Sequence, residues 1–180
     1  MKEPIRIVST KKLLPSQKEY LLNADFSLEE ADFIHIENLN FELKTIQEFL
    51  IITSQNAAES IFLNPKIDDL KKHKCFCVGI KTKALLEQNG FEIIEHSDYS
   101  AELASIICNQ YQKRTFTFFS GNLRRDILPE AMLLAQVNFQ EIVTYKTILQ
   151  SSKFDSKPDG ILFFSPIRCG ELFERKHNNG

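Results

Sequence analysis

The sequence predicts an α/β protein built on parallel sheets, and two patterns predict it. The first is a repeated unit: an apolar run, a short polar turn, then a helix start. Phe49–Thr53 leads into Ser54–Ala58, Cys75–Val78 into Gly79–Ala84, and Phe116–Phe119 into Ser120–Arg125. A fourth run, Ile161–Phe164, reaches Ser165 and Pro166 and then loses the pattern. The second is the alternation of short apolar strands with longer amphipathic segments, which implies parallel sheets covered by helices on both faces. In open sheets of this kind ligands bind where strand C-termini feed helix N-termini. Helix starts offer unpaired N–H groups and a positive dipole end, so an anionic ligand is expected.

Taken in order, Ile5–Ser9 reads as a buried strand, Lys18–Asn23 as a weak helical stretch, and Phe33–Glu37 as a second extended segment. Strands are then predicted at 48–53, 74–79, 92–95, 115–119 and 140–145, with helices at 55–63, 82–89, 101–112 and 123–136. Asn89-Gly90-Phe91 closes the second helix, with glycine in the left-handed position and Phe91 packing back. Leu103, Ile106, Ile107 and Tyr111 mark one face of the third, with Ser100 as its expected N-cap. Pro129 predicts a break in the fourth, with a short first piece and a restart. Cys75 and Cys77 alternate along a strand and face one side as small core residues.

Residues 40–142 are expected to form a complete five-stranded domain. Residues 1–37 and 147–180 are expected to form a discontinuous first domain, in which strands 5–9, 33–37 and 161–164 share a second sheet. Phe33–Glu37 and Glu141–Thr147 are then the two crossings between domains, a two-stranded linker, and a cleft between domains is the expected ligand site.

The totals narrow the function. The 180 residues, 43% hydrophobic and 26% charged, describe a globular chain of one or two small domains. A net charge of -2 provides no global field for nucleic acid or an anionic membrane. No apolar run approaches the ~20 residues of a membrane span, and no secretion signal opens the chain. A cytoplasmic location, with neither nucleic acid nor membrane as partner, is the expectation. The four cysteines lack disulfide or zinc spacing and the four histidines are scattered, so no metal site is expected.

Several pieces, in order, resemble the uroporphyrinogen-III synthase family. They are Ile-Val-Ser-Thr-Lys (7–11), Ile-Ile-Thr-Ser-Gln-Asn-Ala-Ala-Glu (51–59), Cys-Val-Gly-Ile-Lys-Thr-Lys-Ala-Leu (77–85), Ser-Gly-Asn-Leu-Arg-Arg-Asp-Ile-Leu-Pro (120–129), Val-Thr-Tyr-Lys-Thr (143–147) and Gly-Ile-Leu-Phe-Phe-Ser-Pro (160–166). Gln55 stands where the family's Thr-Ser-Pro-Asn-Ala element has proline. The resemblance implies a cofactor-free, monomeric lyase of two α/β domains joined by a two-stranded linker. It implies cyclisation of hydroxymethylbilane, a linear tetrapyrrole with eight carboxylates, to uroporphyrinogen III with inversion of the last ring. Tyr145 matches the tyrosine proposed to assist loss of the substrate hydroxyl, and a phenol is protonated and able to donate at neutral pH. Lys11, Thr53, Ser54, Asn56, Gly79, Lys81, Thr82, Gly121, Asn122 and Ser165 are the candidate substrate contacts.

Each has a structural alternative. Tyr145 can simply pack at a domain joint, and Thr53, Ser54 and Asn56 are good helix caps in any protein. Lysines at a helix start oppose the dipole, which favours an anion site at Lys81–Lys83. Arg124 and Arg125 can pair with Asp126 or Glu130, and Lys11 and Lys12 can be solvated surface. An inactive fragment that at most binds an anion is the alternative function. A phosphate-binding α/β protein is a third, weakened by the lack of Gly-x-x-x-x-Gly-Lys or Gly-x-Gly-x-x-Gly.

The resemblance ends after Pro166, so two βα units of the first domain are expected to be absent, leaving it incomplete at the C-terminus. One permitted coding of residues 167–173, with one nucleotide deleted, reads Ser-Gly-Val-Glu-Ser-Phe, the family's continuation. The expectation is a frameshift after Pro166. Resequencing those codons tests it, and an unbroken frame through the tail in independent reads rules it out.

Overall fold

The computed structural model describes residues 4–150 and 157–164. The chain divides into two compact units, one from residues 1–35 and 147–180 and the other from Ile36–Lys146.

In the first unit, β1 (Ile5–Ser9) is followed by α1 (Pro15–Asn23) and β2 (Phe26–Glu30). Pro15 occupies the first helical position, where a missing N–H costs nothing. The Gln17 side chain accepts from the Leu14 N–H at 3.1 Å. The small sheet is parallel, in the order β2-β1-β9, where β9 is Gly160–Leu162. This corrects the expected sheet: residues 26–30, not 33–37, pair with β1. Alternation alone did not mark Phe-Ser-Leu-Glu-Glu as a strand, because its faces are only half-buried and its pairing is non-local.

The second unit holds most of the remaining elements. They are β3 (Ile34–Asn38), β4 (Phe49–Ile52), α2 (Gln55–Phe62), α3 (Ile67–Leu70), β5 (Lys74–Val78) and α4 (Ile80–Gln88). They continue with β6 (Ile93–Ser97), α5 (Ser100–Gln110), β7 (Thr115–Gly121), α6 (Ile127–Leu134) and β8 (Asn138–Leu149). β3 and β8 both run across the boundary between the units. The sheet order is β3-β8-β7-β4-β5-β6. Strands β4 to β8 are parallel. β3 is the exception: Leu39 N–H donates to Thr144 C=O and Gln150 N–H to Phe33 C=O, each at 2.8 Å, a crossed pairing that makes it antiparallel to β8. The sheet is therefore mixed and six-stranded, whereas five strands were expected.

The chain winds outward from β4 through β5 to β6, then returns to the other side of β4 for β7 and β8. This is doubly wound topology, with its switch point between β4 and β7. Period-two alternation sorts side chains between two cores. Leu50, Ile52, Cys75, Cys77 and Phe119 meet Ala57, Ala58 and Ile61 of α2, Leu70 of α3 and Leu86 of α4. Ile51, Phe76, Phe116 and Phe118 meet Leu103 and Ile107 of α5 and Leu128 and Met132 of α6. Phe76 stands edge-on to Tyr111 and Phe116, with centroids 4.9 and 5.3 Å away, a geometry worth about 0.5–1.5 kcal/mol per pair. Cys75 and Cys77 share one core as expected. Burial raises both thiols, Cys77 to about 11, so neither is a reactive thiolate.

Helix starts differ from expectation: α1 begins at Pro15 rather than Lys18 and α4 at Ile80 rather than Thr82. Tyr99, not Ser100, is the N-cap of α5. Residues 123–126 are not helical, and Pro129 lies in the first turn of α6. First-turn N–H groups have no intrahelical acceptor, so proline there begins the helix rather than breaking it. Among the described residues no helix is long and apolar enough to cross a membrane.

The end of α4 follows the sequence. Gly90 takes φ +84°, its N–H donates to Glu87 C=O and the Phe91 N–H to Leu86 C=O, while the Phe91 ring is buried. This is a Schellman turn with its hydrophobic contact. A Cβ at Gly90 would meet nothing nearer than the Lys71 stem at 3.9 Å. Gly90→Ala therefore isolates the backbone cost, and a stability loss of about 1–2 kcal/mol is expected. A urea midpoint lowered at constant slope checks it; an unchanged midpoint refutes it.

Candidate functional site

The carboxyl ends of β4 and β7 bound the switch-point crevice, and three residues converge there. Ser54 follows β4 in extended conformation and caps α2, its Oγ accepting from the Ala57 N–H at 3.1 Å. Tyr145 projects from β8, and its hydroxyl lies 3.2 Å from Ser54 Oγ. Between them, at the end of β7, is Gly121. A Cβ at Gly121 would fall 2.6 Å from Tyr145 Cε2 and 2.7 Å from its hydroxyl. The ring occupies the space a side chain would need.

A register shift aims the tyrosine. Ser120 pairs with Val143 but Gly121 with Tyr145, so Thr144 is an extra residue in β8. Under strict alternation Tyr145 would share the face of Phe139. Instead it packs with Ile142 against the core that holds α2. Bulges re-aim side chains in this way beside functional sites. Thr144 is fully buried and anchors the bulge. Its carbonyl accepts from Ser60 Oγ at 2.5 Å and from Leu39 N–H, and its own hydroxyl donates to Ser120 C=O at 3.3 Å. The Tyr145 carbonyl accepts from the Asn122 N–H at 3.2 Å.

Beside the crevice, Glu141 of β8 accepts from Ser120 Oγ at 2.6 Å and from Arg124 Nη2 at 2.8 Å, and Arg124 Nε donates to its other oxygen. Arg124 Nη1 also donates to Asp126. Burial pushes the Glu141 carboxyl up, but the hydrogen bonds from Arg124 and Ser120 and the Arg124 charge outweigh it and leave it below the ordinary range. The hydrogen bond to Glu141 raises Arg124, against a smaller opposing effect of burial.

Thus Ser54, Gly121, Asn122 and Tyr145 come together. Thr53 and Asn56 flank Ser54 at the same strand end. Gly79, Lys81 and Thr82 lie at the end of β5, one strand beyond β4 on the same sheet edge. Gly79 caps α4 at φ +84°, Thr82 is buried and Lys81 is exposed. Lys11 belongs to the other unit, where its ammonium sits 4.5 Å from the Phe164 ring centroid. Ser165 lies outside the described residues. Of the arginine partners weighed from sequence, Asp126 pairs with Arg124, but Glu141 was not foreseen. It is seventeen residues away in sequence, and only strand pairing brings it close. Thr144 and Ser60 were likewise missed, since a bulge leaves no local signature here.

Fold and site define a doubly wound α/β protein with a tyrosine–serine pair in the crevice at its switch point. The chain belongs to the uroporphyrinogen-III synthase family, enzymes of tetrapyrrole biosynthesis: the model of Uroporphyrinogen-III synthase HemD matches residues 18–179. That match runs on past Pro166, where the resemblance read from the sequence ended. Among solved structures the chain is similar to uroporphyrinogen-III synthetase from Helicobacter pylori, with TM-score 0.67 and 19% identity, covering 95% of this chain and 78% of that one. It is also similar to a mutant uroporphyrinogen III synthase from Thermus thermophilus, with TM-score 0.55 and 12% identity, covering 82% of this chain and 64% of that one. The wild-type Thermus enzyme gives TM-score 0.51 at 14% identity, covering 82% and 63%. The chain thus spans under two thirds of the Thermus proteins. At these identities the likeness establishes the fold. No curated protein is a significant match.

Gly121→Ala tests the crossing. Forcing a methyl against the ring is expected to cost about 1–3 kcal/mol. In a Tyr145→Ala background the cost should largely vanish, which a double-mutant cycle of urea unfolding reads directly. Equal costs in both backgrounds would show that Tyr145 does not fill the space over Gly121.

Proposed function

We propose that this chain is a uroporphyrinogen-III synthase, with Tyr145 as the acid that assists departure of the hydroxymethylbilane hydroxyl. The observation that carries the proposal is the Tyr145–Ser54 hydroxyl pair at the switch point. Ser54 Oγ already accepts from the Ala57 N–H. With its own proton donated to the Tyr145 oxygen, the tyrosine proton is left for the substrate. The substrate C–O bond then breaks, the oxygen leaves as water with the Tyr145 proton, and the pyrrole nitrogen lone pair supplies the electrons. The phenolate left behind is held by the Ser54 hydroxyl at the N-terminus of α2. Ring closure releases a proton, which restores the tyrosine.

The substrate carboxylates are proposed to meet Thr53, Asn56, Gly79, Lys81, Thr82, Gly121 and Asn122 at the strand ends of the second unit. Lys11 and Ser165 are proposed as further contacts. The proposed domains are residues 1–37 with 147–180, and residues 40–142, with β3 and β8 as a two-stranded linker in a cytoplasmic monomer. The second reading, a fragment that binds an anion without turnover, draws on the chain's partial coverage of the Thermus structures.

An isomer assay decides between them. Freshly generated hydroxymethylbilane is supplied to the purified chain, the product is oxidised, and porphyrin isomers I and III are separated. Isomer III above the enzyme-free control is expected, and Tyr145→Phe is expected to lower kcat by about 10²-fold or more. Isomer I alone from folded protein supports the fragment reading. Full activity in Tyr145→Phe would remove the phenol from the mechanism.

A further inference from the structure

We infer that Arg124, Glu141 and Ser120 are positioning residues, forming a clasp that sets where the Gly121–Asn122 backbone stands in the crevice. The functional part of this inference rests on the proposed activity; the clasp itself does not. Residues 122–126 connect β7 to α6 outside either element, and Asn122, Leu123, Arg125 and Asp126 are exposed. Arg124 is the member of this turn that reaches inward, its side chain only 26% exposed. Its guanidinium forks onto both oxygens of Glu141, a geometry that holds direction as well as distance. Glu141 lies on the strand that carries Tyr145, and its second tie is to Ser120, the residue before Gly121. The turn, the end of β7 and the tyrosine strand are joined through one carboxylate.

The same geometry argues against Arg124 as the receiver of a substrate carboxylate. Each of its three nitrogens already donates to Glu141 or Asp126. One guanidinium between two carboxylates leaves a local charge of about -1, which repels an anion. Attraction for a carboxylate-rich ligand is then left to backbone N–H groups, lysines and the exposed Arg125. The Arg124 and Glu141 side chains keep 26% and 24% of their surface in solvent, so loss of the pair is expected to displace the turn without unfolding the unit.

The full chain is compared with Glu141→Gln, Arg124→Lys and Arg124→Ala, by amide hydrogen exchange and by isomer III kinetics. Glu141→Gln is expected to speed exchange at residues 122–126 about tenfold and to leave β4 and β5 amides unchanged. It is expected to raise KM about tenfold with kcat within about twofold, with Arg124→Lys intermediate and Arg124→Ala at least as severe. Exchange at 122–126 that matches the wild type overturns the clasp. A KM raised by Arg124→Ala but lowered by Glu141→Gln overturns it in favour of direct carboxylate binding by Arg124. A wild type that makes no isomer III refutes the activity, and the exchange comparison then decides the clasp alone.

Discussion

Two strands that flank a third lie about 9–10 Å apart, a span that few side chains bridge across a sheet face. Tyr145 on β8 bridges it to reach Ser54 at the end of β4, and it does so because β7 between them ends in Gly121. The missing side chain is a steric requirement rather than a conformational one, since Gly121 is not in the left-handed region. Other features of the site depend on this crossing. The extra residue in β8 turns the ring toward α2, and Thr144 holds the bulge through its buried carbonyl and hydroxyl.

Oriented neutral groups contribute to the electrostatics of the crevice. A helix N-terminus faces it through Ser54, whose hydroxyl bonds both the Ala57 N–H and the phenol. The arginine nearest the crevice is compensated by two carboxylates. In the proposed mechanism the charge develops beside these fixed dipoles.

The two faces of the larger sheet are held by different means. The α2–α4 face combines small and aliphatic residues with two separate ring pairs, Phe41–Phe119 and Phe62–Phe91, whereas the α5–α6 face includes a connected network of Phe49, Phe76, Phe116 and Tyr111 rings. Tyr111 also donates from its hydroxyl to Glu95 at 3.1 Å, so its polar end is satisfied at the edge of the apolar cluster. The crevice borders the first face, where the small residues Ala57 and Ala58 leave room near the strand ends for the Tyr145 ring.

How much of this was legible from residues alone follows the range of the forces involved. Strands β4, β5 and β7, helices α2, α4 and α5, and the Gly90 turn were readable, because apolar period, capping and left-handed glycine act over a few residues. Ser54, Gly121 and Tyr145 could be named as candidates from motifs, but nothing local says that they touch. Pairing of residues 26–30 with β1, antiparallel addition of β3 to β8, the bulge at Thr144 and the Arg124–Glu141 bridge all join distant parts of the chain. The sequence by itself determined the alternating α/β pattern and the polar turns at strand ends, since both follow from side-chain periodicity. The tertiary structure decided strand order, and with it that the space above a glycine on one strand belongs to a tyrosine on the next.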